Sequence, residues 1–468
     1  MALVAVVVAL LGAVVARAGA PSLVLGQQFT FGVSFGGVAA SALGSDGTAW
    51  VVLVEGSDPA ARDAFTVSAR AATGKTMPAA FVSTADETLV DTPTLAVSDG
   101  TATVAWLTVD GGAVNVDARR CTVSGCEPVR AVASWSVGRS ITGLWSAGTA
   151  FAVPEPVVAS VGARAVVVFA TFGVPHPLMM WAQSDGSRFA APHSFGVSGN
   201  YDPAIASEPG GRIFAAWFKG GGLHEDAFGE YYGTSIEWSR WSSGQGFSRV
   251  HTTSAGQAPG YPITIADLTA AATRAGVTLA WLQGSSANSG YGILGPPFSP
   301  VWVMSQHAGA FSKPVDVFPS GASSISLAGA SDVVALGVGT GRPYRPRVAF
   351  PALVATSVNG GPFGTPVALY PAAGPPSVSV DSTGDVLATW FSDPTQARSS
   401  DVAELTIAAP GGEFASPTEL DLGVSDSEQS ALTAPLIDTV GRRSFIASTS
   451  APGKDSGSAP TFGLFASP

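Results

Sequence analysis

The sequence is short of charge, and above all of clustered positive charge. Charged residues make up 12% of its 468 residues, and Lys and Arg together number 23 against 34 Asp and Glu. The longest basic runs are the pairs Arg119-Arg120 and Arg442-Arg443. A surface that follows a phosphate backbone needs clustered Lys and Arg. We therefore expect no nucleic-acid partner.

Long apolar runs are equally scarce. The longest is residues 2–15, which is short against the ~20 residues of a membrane-spanning helix. Ala16-Arg17-Ala18 follows, a small-x-small pattern typical of signal peptidase sites. Residues 1–18 are therefore predicted to be a secretory signal peptide, with no transmembrane segment in the mature chain. A misplaced start codon or an uncleaved anchor stays open because no Lys or Arg precedes the run, and a buried N-terminal element is the structural alternative. Ala18-Gly19-Ala20 is a second candidate cleavage site, although it places Pro21 unfavourably.

Cysteine is nearly absent, and the two that occur are close together. Cys121 and Cys126 are separated by four residues. In an oxidising compartment such a pair closes a hairpin loop. A zinc site would need two further ligands, and the sequence has no second Cys pair or His-x-x-x-His. A disulfide with a local stabilising effect is predicted, because the loop is so short.

Apolar residues and turn formers are plentiful. Hydrophobic residues make up 46% of the chain, with 56 Gly and 34 Pro, so the chain folds and turns often. Helical periodicity is nearly missing, and only residues 267–275 could form a helix of one or two turns. The fold class predicted is all-β.

One motif recurs along the chain. A turn carrying Gly precedes an apolar run that ends in Trp six residues after the Gly, in Asp99-Gly100 to Trp106, Gly210-Gly211 to Trp217 and Thr383-Gly384 to Trp390. Weaker copies run from Gly47 to Leu53, Gly162 to Phe169, Gly276 to Trp281, Arg345 to Phe350 and Gly441 to Ala447. The eight anchors are about 56 residues apart on average, near the repeat length of four-stranded propeller blades.

A second motif alternates with the first. It consists of Gly, then Phe, then Pro three residues after the Phe, and its copies are Gly186-Phe189-Pro192, Gly309-Phe311-Pro314, Gly361-Phe363-Pro366 and Gly412-Phe414-Pro417, with Gly246-Phe247 as a worn copy. Phe is predicted to wedge between neighbouring sheets, and Pro to fit an outer edge strand.

Together the motifs predict a single β-propeller of seven or eight four-stranded blades over residues 28–468. The runs that end in Trp do not alternate between polar and apolar residues, so both faces of each sheet should be covered. A tandem of β-sandwiches is the structural alternative, although sandwich repeats are nearer 100 residues.

The alternating motifs resemble the repeats of secreted bacterial sialidase-like propellers. Ser184-Asp185-Gly186-Ser187-Arg188-Phe189 looks like a shortened Asp box of that superfamily. The resemblance implies a catalytic set of three Arg, a Tyr nucleophile assisted by Glu, and an Asp acid/base. The family's Arg-Ile-Pro stretch is missing, so no residue is carried over as catalytic. A glycoside hydrolase would need several of Arg212, Arg240, Arg342, Arg345 and Arg347 to converge beside a Tyr.

Two insertions hold the candidate ligand-binding residues. Residues 220–233 contain the densest polar cluster, and residues 284–300 could shape a pocket with them because the two belong to adjacent units. Glu230 and Tyr232 share one face of an extended segment, an arrangement that could assist glycoside chemistry. The candidates are His224, Glu225, Asp226, Glu230, Tyr231, Tyr232 and Tyr291.

No cofactor is expected. Oxygen atoms of the 220–233 insertion could hold Ca²⁺, although the spacing matches no EF-hand. The sequence favours a monomeric, exported bacterial propeller, secreted, periplasmic or at the cell surface, that binds carbohydrate or protein without a recoverable catalytic set. The alternative is a sialidase-like glycoside hydrolase acting at one mouth of the propeller.

Overall fold

The computed structural model describes most of the chain from residue 21 onwards. The described residues are 21–34, 38–55, 64–82, 88–89, 93–137, 155–171, 174, 177–198, 200–220, 233–256, 263–285, 299–307, 309–340, 352–369, 375–392, 400–426, 435–449 and 459–467, apart from positions 22, 27, 111 and 187. They form an all-β protein in which no helix occurs, and so none that could cross a membrane.

The first four blades follow one another along the chain. Blade one contains β3 (Val38–Leu43), β4 (Ala49–Glu55), β5 (Ala64–Arg70) and β6 (Thr76–Phe81). Blade two contains β7 (Thr88–Leu89), β8 (Thr94–Ser98), β9 (Thr101–Asp110), β10 (Ala113–Thr122), β11 (Gly125–Cys126) and β12 (Arg130–Ser136). Blade three contains β13 (Val157–Val161), β14 (Arg164–Ala170), β15 (Leu178–Gln183) and β16 (His193–Ser198). Blade four contains β17 (Asn200–Glu208), β18 (Arg212–Gly220), β19 (Gly233–Ser242), β20 (Gly246–Phe247) and β21 (His251–Ser254).

Blades five to eight complete the ring. Blades five and six share one long strand and consist of β22 (Ile263–Ala272), β23 (Val277–Ser285), β24 (Ser299–His307), β25 (Ala310–Phe311), β26 (Val315–Ala330), β27 (Val333–Thr340), β28 (Ala352–Val358) and β29 (Val367–Leu369). Blade seven contains β30 (Ser377–Val380), β31 (Val386–Ser392), β32 (Ser400–Ala408) and β33 (Thr418–Asp426). Blade eight contains β34 (Leu436–Val440), β35 (Arg443–Thr449), β36 (Ala459–Ser467) and the N-terminal strands β1 (Val24–Leu25) and β2 (Phe29–Ser34).

The blade count is therefore eight, and the alternatives of seven blades and of tandem sandwiches are wrong. The first part of β26 pairs with β24 as the outer strand of blade five, and its second part pairs with β27 as the inner strand of blade six. Blade eight takes its outer strand from the N-terminus, because β2 and β1 pair antiparallel with β36. The two ends of the chain thus close the ring.

The recurring Trp residues pack between blades, as predicted. Trp106, Trp217, Trp281 and Trp390 are fully buried on the second strands of their blades. The apolar clusters join neighbouring sheets: Trp281 of blade five, for example, packs in one cluster with Phe214 of blade four. A sheet with two apolar faces is stable only between two others, and the ring provides this arrangement for every blade.

The Gly-Phe-Pro motif also lies where it was predicted. Its Phe residues are partly buried against the clusters between blades, and each Pro stands just before an outer strand, where no ladder donor is needed. These residues are Phe189, Phe311, Phe363 and Phe414, followed by Pro192, Pro314, Pro366 and Pro417.

Two predictions from the sequence are wrong. The anchor of blade six is the turn at Ser331-Asp332 rather than Arg345, because β27 follows that turn directly. The position that corresponds to Trp106 in the hairpin register is Val338, which is fully buried in the cluster between blades five and six. Residues 267–275 do not form a helix, because most of them belong to β22, which pairs with β23.

The two ends of the propeller differ in their connections. At the turn face, where the inner strands end, short turns lead to the second strands, as at Asp99-Gly100 and Ser331-Asp332. The inner strands begin at the opposite end, which we call the loop face. The strand ends that flank the longer connections lie at this face. These connections are residues 56–63, 138–154, 221–232, 286–298, 341–351, 393–399, 427–434 and 450–458.

The predicted disulfide between Cys121 and Cys126 is present. It joins paired positions at the hairpin between β10 and β11. Blade three has Ser184 and Phe189 at the corresponding pair. Cys126 packs against the cluster between blades one and two, so the disulfide takes the place of the Phe wedge used elsewhere.

This replacement predicts a stability difference between two disulfide-free variants. Cys121→Ser/Cys126→Ser should lower the free energy of unfolding by about 2 kcal/mol, the order expected for a loop this short. Cys121→Ser/Cys126→Phe should recover at least half of that loss, because Phe refills the wedge position. Calorimetry on both variants tests this, and equal losses would show that the covalent bond alone matters.

Candidate functional site

Every candidate residue taken from the two insertions lies outside the described residues. His224, Glu225, Asp226, Glu230, Tyr231 and Tyr232 belong to the connection between β18 and β19, and Tyr291 belongs to that between β23 and β24. The flanking strands belong to blades four and five, so the two insertions do arise from adjacent units, and both start and end at the loop face. Their roles stay predictions.

Three carboxyl groups that the sequence analysis missed lie at the same end of the propeller. Glu155, Asp202 and Asp267 occupy corresponding positions on blades three, four and five. On each blade, the second-strand residue just before the aromatic one pairs with a residue of the inner strand. The trio carboxyl group lies two residues before that inner-strand residue. Those pairs are Val157 with Val168, Ala204 with Ala216, and Thr269 with Ala280. We call these three residues the acidic trio.

The backbone is irregular at two members of the trio. Asp202 has a φ of 47° and Asp267 a φ of 56°, in the left-handed region that Asp tolerates better than most residues. At both positions the pairing between the inner and second strand is interrupted by a register shift. Asp202 and Asp267 thus occupy the same kind of backbone irregularity on neighbouring blades, at the loop-face end of the inner strands.

Two members of the trio, Asp202 and Asp267, have raised pKa values. Burial, together with the charges of Asp267 and Glu155, raises the pKa of Asp202 to about 7. Burial and the charge of Glu155 likewise raise the pKa of Asp267. Within the part of the chain that the structure describes, no ion pair or hydrogen bond joins a trio carboxyl to another side chain. Asp202 therefore exchanges its proton near neutral pH.

Metal ligation finds no support among the described residues. They contain no group of three or more His, Cys, Asp and Glu side chains that could hold a metal ion. The Ca²⁺ prediction concerned residues 220–233, most of which lie outside the described ranges, and it stays a prediction.

The channel contains a further carboxyl group towards the turn face. An open cavity of about 260 Å³ is lined there by the inner strands of blades four to eight, including Asp438. Asp438 accepts the backbone N–H groups of Leu43 at 2.7 Å and of Thr439 at 2.8 Å. Burial raises the pKa of Asp438 and these two bonds oppose the rise. Its carboxylate is thus satisfied by the link from blade eight to blade one.

Other buried carboxyl groups sit inside the blades and have partners. Glu237 accepts Trp217 Nε1–H at 3.0 Å, and its second oxygen lies 2.9 Å from Lys219 Nζ. Ser392 Oγ donates to Glu404 at 2.8 Å in blade seven. These pairs stabilise buried charge between adjacent strands, and they could not be predicted from the sequence because they depend on strand register.

The arginines that a sialidase-like site would require do not gather at the loop face. Arg240 Nε contacts both carboxylate oxygens of Glu208, at 2.9 and 3.0 Å, and its Nη2 donates to Gln306. Arg212 lies 3.6 Å from the same carboxylate. Glu208 ends β17, so this cluster is at the turn face. Arg342, Arg345 and Arg347 lie outside the described residues.

Comparisons with known proteins find structural likeness without sequence kinship. No protein-family model and no curated protein matches the chain. An ulvan lyase of polysaccharide lyase family PL25 shares 11% identity with a TM-score of 0.46, covering 80% of this chain and 91% of that one. The polysaccharide lyase Uly1 shares 8%, also with a TM-score of 0.46, covering 80% and 89%. An α-L-arabinanase of Penicillium chrysogenum shares 12% with a TM-score of 0.38, covering 68% and 94%.

These likenesses are partial, and the eight-bladed fold follows from the strand pairing of this chain itself. The resemblance to sialidase-like propellers stays a prediction.

The raised pKa of Asp202 predicts a pH-dependent stability. Because its folded-state pKa lies above the unfolded value, this group costs stability as pH rises from about 4 to 7. Asp202→Asn should therefore have little effect at pH 4, and should stabilise the protein by about 1–3 kcal/mol at pH 8. Urea unfolding at both values measures this.

The matched control is Asp99→Asn. Asp99 also has a positive φ, but it is exposed and lies at the turn face. Its substitution should give the same small change at both pH values. A stabilisation by Asp202→Asn that does not vary with pH would contradict the electrostatic explanation.

Proposed function

We propose that this protein is an exported propeller that binds carbohydrate at the loop-face mouth of its channel. The supporting observation is the polarity of the fold: the acidic trio shares one face with the strand ends that flank the longer connections, whereas short turns join the inner and second strands at the other. In propellers and barrels, the scaffold supplies stability and the loops at one end supply recognition.

The chemistry of the trio suits hydroxyl-rich ligands. Ionised carboxylates accept hydrogen bonds from sugar hydroxyls, and a protonated Asp202 also donates one. Tyr231, Tyr232 and Tyr291, in the connections of blades four and five, would add aromatic surface with a polar tip. Negative charge at the mouth opposes anionic ligands. We therefore favour neutral or amine-bearing glycans over sialosides and uronates.

Glycoside hydrolysis at the same mouth is a second candidate, favoured by one observation. A carboxyl group with a pKa near 7 beside other carboxyl groups has the character of a general acid paired with a base or nucleophile. This activity would use the trio rather than the arginines of a sialidase.

Binding assays decide between these proposals. Purified protein should be titrated calorimetrically with neutral, amine-bearing and uronate-containing polysaccharides. We expect binding to one of the first two classes, at least tenfold weaker affinity for Asp202→Asn and for Asp267→Asn, and no change for Asp99→Asn. Reducing-end release lost in Asp202→Asn would establish hydrolysis.

Two outcomes would overturn the binding proposal. One is the lack of binding to every class of polysaccharide. The other is binding that both trio variants leave unchanged, which would place the ligand elsewhere on the propeller.

Export is tested separately. Expressed with its own first residues, the protein should be recovered outside the cytoplasm with Gly19 at its N-terminus, since cleavage after Ala18 avoids placing Pro21 directly after the cut. N-terminal sequencing reads this directly. A chain that keeps residues 1–18 and sediments with membranes would indicate an anchor instead.

A further inference from the structure

Blades three, four and five are tied together at the turn face by polar side chains. Trp241 Nε1 donates to Gln183 Oε1 at 2.8 Å, and Arg164 Nη1 donates to Ser243 Oγ at 2.7 Å, both between blades three and four. Arg240 joins Glu208 of blade four to Gln306 of blade five. These bonds fix the turn-face ends of the three blades relative to one another.

The loop-face ends of the same blades present the acidic trio instead. The inner strands β13, β17 and β22 pack side by side, so ionisation places like charges on neighbouring strands. The register shifts at Asp202 and Asp267 interrupt the pairing to the second strands at the same level. Repulsion between the carboxylates therefore acts where the pairing of the inner strands with the second strands is interrupted.

The other charged side chains on the packed strands do not neutralise the trio. Arg164 and Arg212 begin β14 and β18, at the turn face. Lys219 is near the loop face, but its Nζ contacts the buried Glu237. Glu208 and Arg240 pair with each other at the turn face. Asp316, on β26, pairs across the outer part of blade five and adds no positive charge.

We propose that the loop-face mouth is a pH-dependent gate in blades three to five: ionisation of Asp202 and Asp267 beside Glu155 separates the first halves of β13, β17 and β22, while the turn-face links act as the hinge. The pKa of about 7 at Asp202, raised by burial and by its two acidic neighbours, places the transition near neutral pH. The consequence for ligand entry rests on the proposed function. The gate itself does not, because it opens without ligand.

Hydrogen exchange of the ligand-free protein tests the gate. After correction for intrinsic exchange, amides of residues 200–205 and 263–269 should lose protection about tenfold between pH 6 and pH 8, the factor that one pKa unit represents. Amides of residues 206–208 and 270–272, beside the hinge, should not. Raising NaCl from 0.05 to 0.5 M should reduce the loss, because salt screens the repulsion.

Variants distinguish repulsion from general loosening. Asp202→Asn should abolish the pH-dependent loss, and Asp99→Asn should retain it. If Asp202→Asn folds poorly, Asp267→Asn serves the same purpose. Equal protection at both pH values in the unmodified protein, or an undiminished loss in the trio variants, would overturn the gate. Since no ligand is used, that result would leave the binding proposal standing.

Discussion

The structure depends on one constraint: the second strand of each blade is apolar on both faces and must be covered on both sides. Trp106, Trp217 and Trp390 are buried because a neighbouring sheet lies against each. No open stack of sheets satisfies this at its ends, whereas a ring does. Closure with β2 from the N-terminus completes blade eight, so the fold needs both ends of the chain.

The ring separates stability from recognition. Short turns and hydrogen bonds between blades, such as that of Arg240 with Gln306, stabilise the turn face. The connections that differ in length begin and end at the loop face. The inner strands converge there, so single residues on successive blades become neighbours although some 47 to 65 positions separate them in the chain. The acidic trio is such a case.

The sequence predicted the blades well because their signals are local. A Gly turn, an apolar run and a terminal Trp lie within one hairpin. The prediction failed at blade six because the turn Ser331-Asp332 contains no Gly and Val338 stands at the aromatic position, so neither local signal is present. It failed again at residues 267–275, whose alanines suit either a helix or a strand until β23 supplies a partner. The trio escaped notice for a related reason: Glu155, Asp202 and Asp267 share no motif, and correspond only through strand register.

The contrast between Asp202 and the carboxyl groups that have partners argues that Asp202 serves function rather than stability. Glu237 and Asp438 show that this fold can satisfy buried charge, with a Lys and an indole in one case and with two backbone N–H groups in the other. Asp202 is half-buried and receives no comparable partner from the described residues, whereas Glu155 and Asp267 are exposed to solvent. Asp202 and Asp267 combine raised pKa values with left-handed backbone, and each feature costs free energy. Such departures from local rules are characteristic of functional sites. These residues lie at the same face as the strand ends that flank the long connections of blades four and five, which favours the loop-face mouth as the functional site.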